Sequence, residues 1–376
     1  MSNSIVFKII RIDCISFLVL LLALNSSCKD HKNNDSEDKD QETKLITEIP
    51  EDFVIPEGMV WIPGKSFLKG AVPDDTLAMD HEKPAHRVAV DGFFIDVTEV
   101  TNAQFKKFVE ETGYQTLAER KIDWNRMKQE LPPGTEKLAD SVLQPGSLIF
   151  IRTSDITSLD NYTKWWKWQV GADWKHPTGP ESSIDNKDDY PVVHIGYEDA
   201  IAYCTWANKR LPTEAEWELA SRGNNLTSVY HWGNSDKNLS KKANTWNGIF
   251  PKMNTSEDGY ENISPVKSYP PNSLGLYDMA GNVWEWTQDW YSTQYYTESL
   301  RNELLRNPKG PEEPFNPVNP YSLEKVIKGG SYLCNKSYCA SYRNSARMGS
   351  SINSSSVHVG FRTVVSLDML QDSENE

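Results

Sequence analysis

Gly329 to Cys339 reads GGSYLCNKSYC. It sets Cys334 and Cys339 close together in a chain with few other cysteines. Fully extended, the segment would hold their Cα atoms roughly 16 Å apart, at ~3.3 Å per residue. To share a bond or an ion it must fold back through Asn335, Lys336 and Ser337, residue types that suit a turn. Two thiolates converging on such a loop can form a disulfide, bind a soft metal ion, or carry out redox chemistry.

Composition bears on that choice. Of the five cysteines, Cys14 lies in an N-terminal apolar run and Cys28 follows it, which leaves Cys204, Cys334 and Cys339 for the folded part. That number is odd and too small for a disulfide scaffold. With 376 residues, 38% of them hydrophobic, and 13 Trp, the chain can build a core without staples. A formal net charge of −14 argues against nucleic acid or an anionic membrane surface as partner.

Lys8 and Arg11 precede an apolar run, Ile15 to Leu24, that is too short to span a bilayer. Asn25-Ser26-Ser27-Cys28 then resembles a bacterial lipoprotein signal, in which Cys28 is lipidated. The expected location is the cell envelope, anchored to the outer membrane and facing the periplasm or the exterior. Ordinary secretion without an anchor is the alternative. Residues 1–28 are thus read as signal and 29–52 as an acidic tether, too poor in apolar residues to offset its ordering entropy. Residues 53–368 are read as one domain and 369–376 as a polar tail.

Caps place the helices. Thr101 to Gln104 has capping-box spacing, with Val100 and Phe105 set to staple across it and Phe108 and Val109 continuing the stripe. Thr213 to Glu216 repeats the device. Ala200, Tyr203, Cys204 and Ala207 share a helix face, so Cys204 is read as a packed apolar side chain. Arg87 to Ile95 and Glu324 to Lys328 alternate like strands, while Gly, Pro and Asn recur elsewhere. The mixture predicts an irregular, loop-rich α+β domain.

Ordered loops need ties. Asp278 and Glu285 flank the Gly281-Asn282 turn, and Asn244-Thr245 has a possible counterpart in Asp258-Gly259-Tyr260. Carboxylates with freed backbone carbonyls are what Ca²⁺ takes, at six to eight oxygens. Solvated turns with Asx caps are the plainer reading of the same residues.

Five stretches resemble the formylglycine-generating enzyme superfamily: GMVWIPG (Gly58 to Gly64), EVTNAQF (Glu99 to Phe105), YCTWANKRLPTEAEWE (Tyr203 to Glu218), GLYDMAGNVWEW (Gly275 to Trp286) and GGSYLC (Gly329 to Cys334). GADWKHPTGPESS (Gly171 to Ser183) and SYLCNKSYC followed by YRNSAR (Ser331 to Arg347) look like its sulfatase-activating branch. The resemblance implies an elaborated C-type-lectin-like fold. It also implies oxidation by O2 of a cysteine in a sulfatase Cys-x-Pro-x-Arg segment to Cα-formylglycine. Cys334 and Cys339 would hold Cu(I), and soft thiolates do select that ion. Ser331 and Trp284 would line the pocket, Tyr338 would shape its wall, and Asp123 would meet the substrate arginine. Structural Ca²⁺ would sit at Asn244, Thr245, Asp258 and Tyr260, and at Asp278, Gly281, Val283 and Glu285. The expected partner is an unfolded or nascent sulfatase, and the expected state a monomer.

The chain departs from the family pattern in places. Asn335 stands where many members have histidine, and the Ser350 to His358 segment lacks an Asn-Thr-Pro-Asp run, with His358 in place of asparagine. Vertebrate members carry disulfides at positions that here hold Ser221, Asn344 and Thr363, which leaves Cys204 without a partner. The seven histidines contain no His-x-x-x-His-x-Glu spacing, which counts against the iron-dependent branch. His81, His86, His176 and His194 are given structural roles, and Trp165, Trp166 and Trp168 are read as core or groove wall. Two alternatives stay open: a non-catalytic envelope lipoprotein that uses the fold as a scaffold, and a purely structural Cys334–Cys339 disulfide.

Overall fold

A computed structural model describes residues 44–51 and 53–373. The signal segment, Cys28 and most of the expected tether lie outside the described residues. From Leu45 onward the chain forms one unit.

The chain enters through β1 (Met59–Ile62), β2 (Lys65–Lys69), β3 (His86–Val90) and β4 (Phe93–Asp96). Alternation from Arg87 to Ile95 predicts one strand, but the structure breaks it at Asp91-Gly92. Gly92 lies against the Trp61 ring, where a Cβ would fall 2.1 Å from a ring carbon, and Asp91 turns out to Arg306 and Asn307. The two halves therefore join different sheets. β3 lies between β2 and a late strand, and β4 lies between β1 and the last strand of the chain.

The Thr101 hydroxyl accepts from the Gln104 N–H, and the Gln104 side chain accepts from the Thr101 N–H. This starts α1 (Asn102–Thr112), which Gly113 ends at φ 67°. A single turn, α2 (Trp124–Met127), precedes the hairpin of β5 (Gly146–Phe150) and β6 (Trp166–Val170). α3 (Tyr197–Trp206) buries Cys204, as its face predicts. α4 (Glu214–Arg222) is buried along its whole length although four of its nine residues are charged. Glu214 meets Lys69 and Arg347, while Glu218 meets Arg222 and Lys328. Removing one partner from such a pair costs roughly 3–5 kcal/mol, because the other charge stays buried.

A short hairpin, β7 (Gly248–Ile249) with β8 (Met253–Asn254), leads to β9 (Trp284–Trp290), α5 (Tyr295–Ser299), β10 (Leu305–Arg306) and β11 (Glu324–Lys328). The chain closes with β12 (Arg347–Ser351), β13 (Val359–Gly360), β14 (Val364–Ser366) and α6 (Leu367–Ser373). The sheet that carries the site runs β12-β11-β9-β13. The main core gathers Phe105, Phe108, Tyr203, Trp286 and Phe361 beside Cys334.

Both domain edges lie further out than expected. The Ile46 carbonyl accepts from the Gly64 and Gly92 N–H groups, and Ile49 packs on the cluster around Phe94. Met369 and Leu370, expected in a polar tail, pack on the same cluster from α6. Among the described residues no helix is long and apolar enough to cross a membrane.

Candidate active site

β11 runs into Gly329 and Gly330, both at positive φ (89° and 73°). A Cβ at Gly330 would lie 2.8 Å from the Ser341 carbonyl carbon, so only glycine lets the strand exit pass there. The chain then turns twice. Cys334 N–H donates to Ser331 O, and the N–H groups of Tyr338, Cys339 and Ala340 all donate to Asn335 O at 2.9–3.1 Å. Asn335 Oδ1 accepts from Ser337 N, and its Nδ2 ties the loop to Trp246 O at 2.9 Å. The fold-back through Asn335 thus takes place, and Asn335 organises it.

The loop brings the Cys334 and Cys339 sulfurs within 2.7 Å of each other as free thiols. A disulfide needs about 2.05 Å. Cys334 is 1% exposed, and burial drives its thiol well up. The hydrogen bond shared with Cys334 is the main influence holding Cys339 below the usual thiol range, so Cys339 is the sulfur that ionises first.

Both sulfurs open on a cleft of about 660 Å³, within the usual range for ligand sites. Ser331, Trp284 and Tyr338 line it too, as the resemblance implies. Ser331 N–H points at Cys334 Sγ at 3.4 Å, and its Oγ accepts from Leu333 N and meets His358 Nδ1 at 3.1 Å. Trp284 N–H donates to His358 O, which fixes β9 against β13. Tyr338 stacks on Phe250 at 4.7 Å and meets Trp165 edge-on; burial pushes its phenol up to about 12. Trp165 is core and Trp166 is groove wall, its ring tilted by 56° against His358 at 4.7 Å. Burial lowers His358 to about 3, so its ring is neutral.

Asp123 is not where the resemblance puts it. It is exposed, its carboxylate caps α2 through Asn125 N at 2.8 Å, and it does not line the cleft. Among the lining residues missed as site members are His358 and Glu324. His358 shows in the sequence only as a departure, and Glu324 only as the first residue of a strand.

The loop ties are met in part. Asp258 accepts from Thr245 N (2.9 Å) and Tyr260 N (3.1 Å), and Thr245 Oγ1 is buried with no partner. Asn244 bridges to Asn262 O and Asn282 Oδ1. These oxygens suit a hard cation. At the second place Glu285 is already occupied: Arg362 binds it through two nitrogens and Trp217 Nε1 adds a third bond. The orphaned oxygens there are Asp278 Oδ1 and Glu99 Oε2, both buried. Burial first, and the charge of Asp278 second, push Glu99 well up; burial lifts Asp278 to about 6. Two such carboxyls fit a shared cation or a proton, and Glu285 beside them is held by Arg362 and Trp217. Among the described residues no three His, Cys, Asp or Glu side chains converge on a metal-sized point. The cleft's donor set is therefore two sulfurs, which suits a soft monovalent ion.

Residues 46–367 match the family model described as sulfatase-modifying factor enzyme 1-like domain. A formylglycine-generating enzyme of Bos taurus is 42% identical over 308 residues, covering 82% of this chain and 74% of the relative. One of Thermomonospora curvata is 42% identical, covering 82% and 93%. The fold is similar to that of PvdO from Pseudomonas aeruginosa, with a TM-score of 0.54 at 22% identity over 86% of this chain and 99% of the other.

Proposed function

Because the chain belongs to the sulfatase-modifying factor enzyme 1 family across residues 46–367, we propose that it activates sulfatases. It would do so by oxidising a cysteine in their Cys-x-Pro-x-Arg segment to Cα-formylglycine. The observation that carries this reading is the pair of free, converging thiols on the wall of a cleft of about 660 Å³. Cys334 and Cys339 would hold Cu(I), which supplies a soft site for the substrate thiolate and a means of activating O2. Converting the thiol carbon to an aldehyde removes two electrons, and an external thiol reductant supplies the other two that O2 needs. Thiol, O2, two electrons and two protons thus give one aldehyde, one hydrogen sulfide and one water.

The chain's own residues do the positioning. Trp284, Trp166 and Phe250 keep the cleft walls apolar. Ser331 sets the Cys334 sulfur by its N–H and is itself oriented by Leu333 and His358. Ca²⁺ would tie the loops at Asn244, Thr245, Asp258 and Tyr260, and a second cation would lie between Asp278 and Glu99.

The test is incubation of copper-loaded protein with a Cys-x-Pro-x-Arg peptide, O2 and dithiothreitol, followed by mass spectrometry. The aldehyde product should form with wild type and fall at least about a hundredfold in C334A and in C339A. Thiol titration should find both sulfurs reduced and Cu(I)-protectable. Equal turnover in the variants sinks the reading, as does a disulfide that copper cannot replace.

A further inference from the structure

From Pro314 to Leu323 the chain reads PFNPVNPYSL, without a charge. Within it a three-residue unit repeats, Asn316-Pro317-Val318 and then Asn319-Pro320-Tyr321. Each Asn-Pro opens a turn: Asn319 N–H donates to Asn316 O and Ser322 N–H to Asn319 O, both at 3.1 Å. The third residue of each unit therefore sits at a turn's tip, where polar residues or glycine are usual. Here the tips are valine and tyrosine. We infer that this loop is a docking edge of the cleft, on which Val318 and Tyr321 take apolar side chains of the bound polypeptide beside its reacting cysteine. This rests on the cleft being a peptide-oxidation site.

Hydrogen bonds hold the turns. Phe315 N–H donates to Tyr291 O and Tyr291 N–H to Glu324 O, both at 2.9 Å, so the loop is pinned at each end. Between the pins, Asn316 Nδ2 donates to Glu324 Oε2 at 2.7 Å and Asn319 Nδ2 to Oε1 at 3.0 Å. Asn316 Oδ1 also accepts from Val318 N–H at 3.1 Å. Glu324 is buried, so one enclosed carboxylate sets both turns. Proline at the second position of each fixes φ and removes a further freedom.

What the held turns present is apolar surface in water. Val318 is 83% exposed and Tyr321 45%. Area left in water adds nothing to the core, so packing does not account for these side chains. On a fixed backbone they have little ordering entropy to lose when a partner covers them, which favours binding.

Position names the partner. Asn319, Ser322 and Glu324 line the cysteine cleft, so the turns that raise Val318 and Tyr321 also belong to its wall. Gly349 of β12 lines it as well, and a Cβ there would lie 2.6 Å from Glu324 Oε2. Loop and cleft are thus one continuous surface. A polypeptide that enters the cleft before it has folded still has its apolar side chains uncovered. The uncharged loop offers those side chains a contact that requires no ion pair.

The experiment measures binding without turnover. The protein is titrated with two labelled Ser-x-Pro-x-Arg peptides, one with leucine-rich flanks and one with the flanks replaced by serine and glycine. Wild type should bind the leucine-flanked peptide about tenfold more tightly. V318S/Y321S, exposed changes that leave the fold intact, should bind the two peptides alike. N316A/N319A, which frees the turns, should reduce the preference. A photo-crosslinking residue at position 318 should attach to a leucine flank. A wild type without the preference, or a V318S/Y321S protein that keeps it, would overturn the assignment. So would sedimentation showing that wild type pairs with a second copy and V318S/Y321S does not. Conversion of the cysteine peptide by the same wild-type preparation reports separately on the functional reading.

Discussion

Asn335 replaces a common histidine and builds the cysteine loop with one carbonyl that takes three N–H groups. His358 is the second exchange, and its consequence is local. Its Nδ1 is the side-chain partner of Ser331 Oγ, and its ring fills the space beside Trp166. H358A should lose both contacts and lower peptide turnover about tenfold, the effect of roughly one hydrogen bond. H358N, which retains an amide partner, should stay within about threefold; steady-state rates at saturating peptide check this. At this scale the sequence was informative where chemistry is short-ranged. Cys334, Cys339, Ser331 and Tyr338 lie within nine residues, so placing one placed the rest. Asp123 failed because its position along the chain does not say whether its carboxylate faces a groove or caps the next helix turn. Glu324 was illegible for a related reason, since its amide partners Asn316 and Asn319 come from a loop whose path only the tertiary structure defines.

Helices α1 and α4 were legible because a cap is a local hydrogen-bond exchange. The Asp91-Gly92 break was not, because it depends on Trp61 arriving from another strand. The loop ties show the same limit. Asp258 and Asp278 were found as loop carboxylates, but the Arg362 partner of Glu285 comes from far along the chain and could not be read from spacing. Glu99, hidden in the residues before α1, supplies a second orphaned oxygen beside Asp278. If Ca²⁺ binds these loops, it stabilises the folded state by RT ln(1 + [Ca]/Kd), about 2.7 kcal/mol at a hundredfold excess over Kd. Removing it with EGTA should lower the melting temperature by about 3–8 °C. D258N should remove most of that response and E99Q part of it, read by thermal denaturation with and without 1,000-fold excess Ca²⁺ (about 4.1 kcal/mol at full occupancy).

The whole molecule has an ionic interior as well as an aromatic one. Ser221 and Asn344, at positions where the resemblance implies a disulfide in some members, are joined by a 2.8 Å hydrogen bond, and α4 is enclosed by lysines and arginines. Such an interior makes stability depend on pH in opposing ways. Burial lowers His194 and His231 to about 4, so each loses stability as pH falls below the unfolded value of about 6.5. Asp289 acts in the other direction. Burial first, and the charge of Glu214 second, raise it to about 7, while in the unfolded chain it titrates near 3.9. Between those values the unfolded chain gives up the proton and the folded chain keeps it, so stability falls as pH rises from about 4 to 7. The loss amounts to at most about 4 kcal/mol. Asp289 Oδ2 accepts from Glu214 N at 2.7 Å, a role that an asparagine carbonyl can fill. D289N should therefore match wild type near pH 4 and become progressively more stable up to pH 8, as read from urea midpoints across that range. A difference between the two proteins that does not change with pH would mean that Asp289 is already ionised in the folded chain and that the cations around α4 extend their field to it.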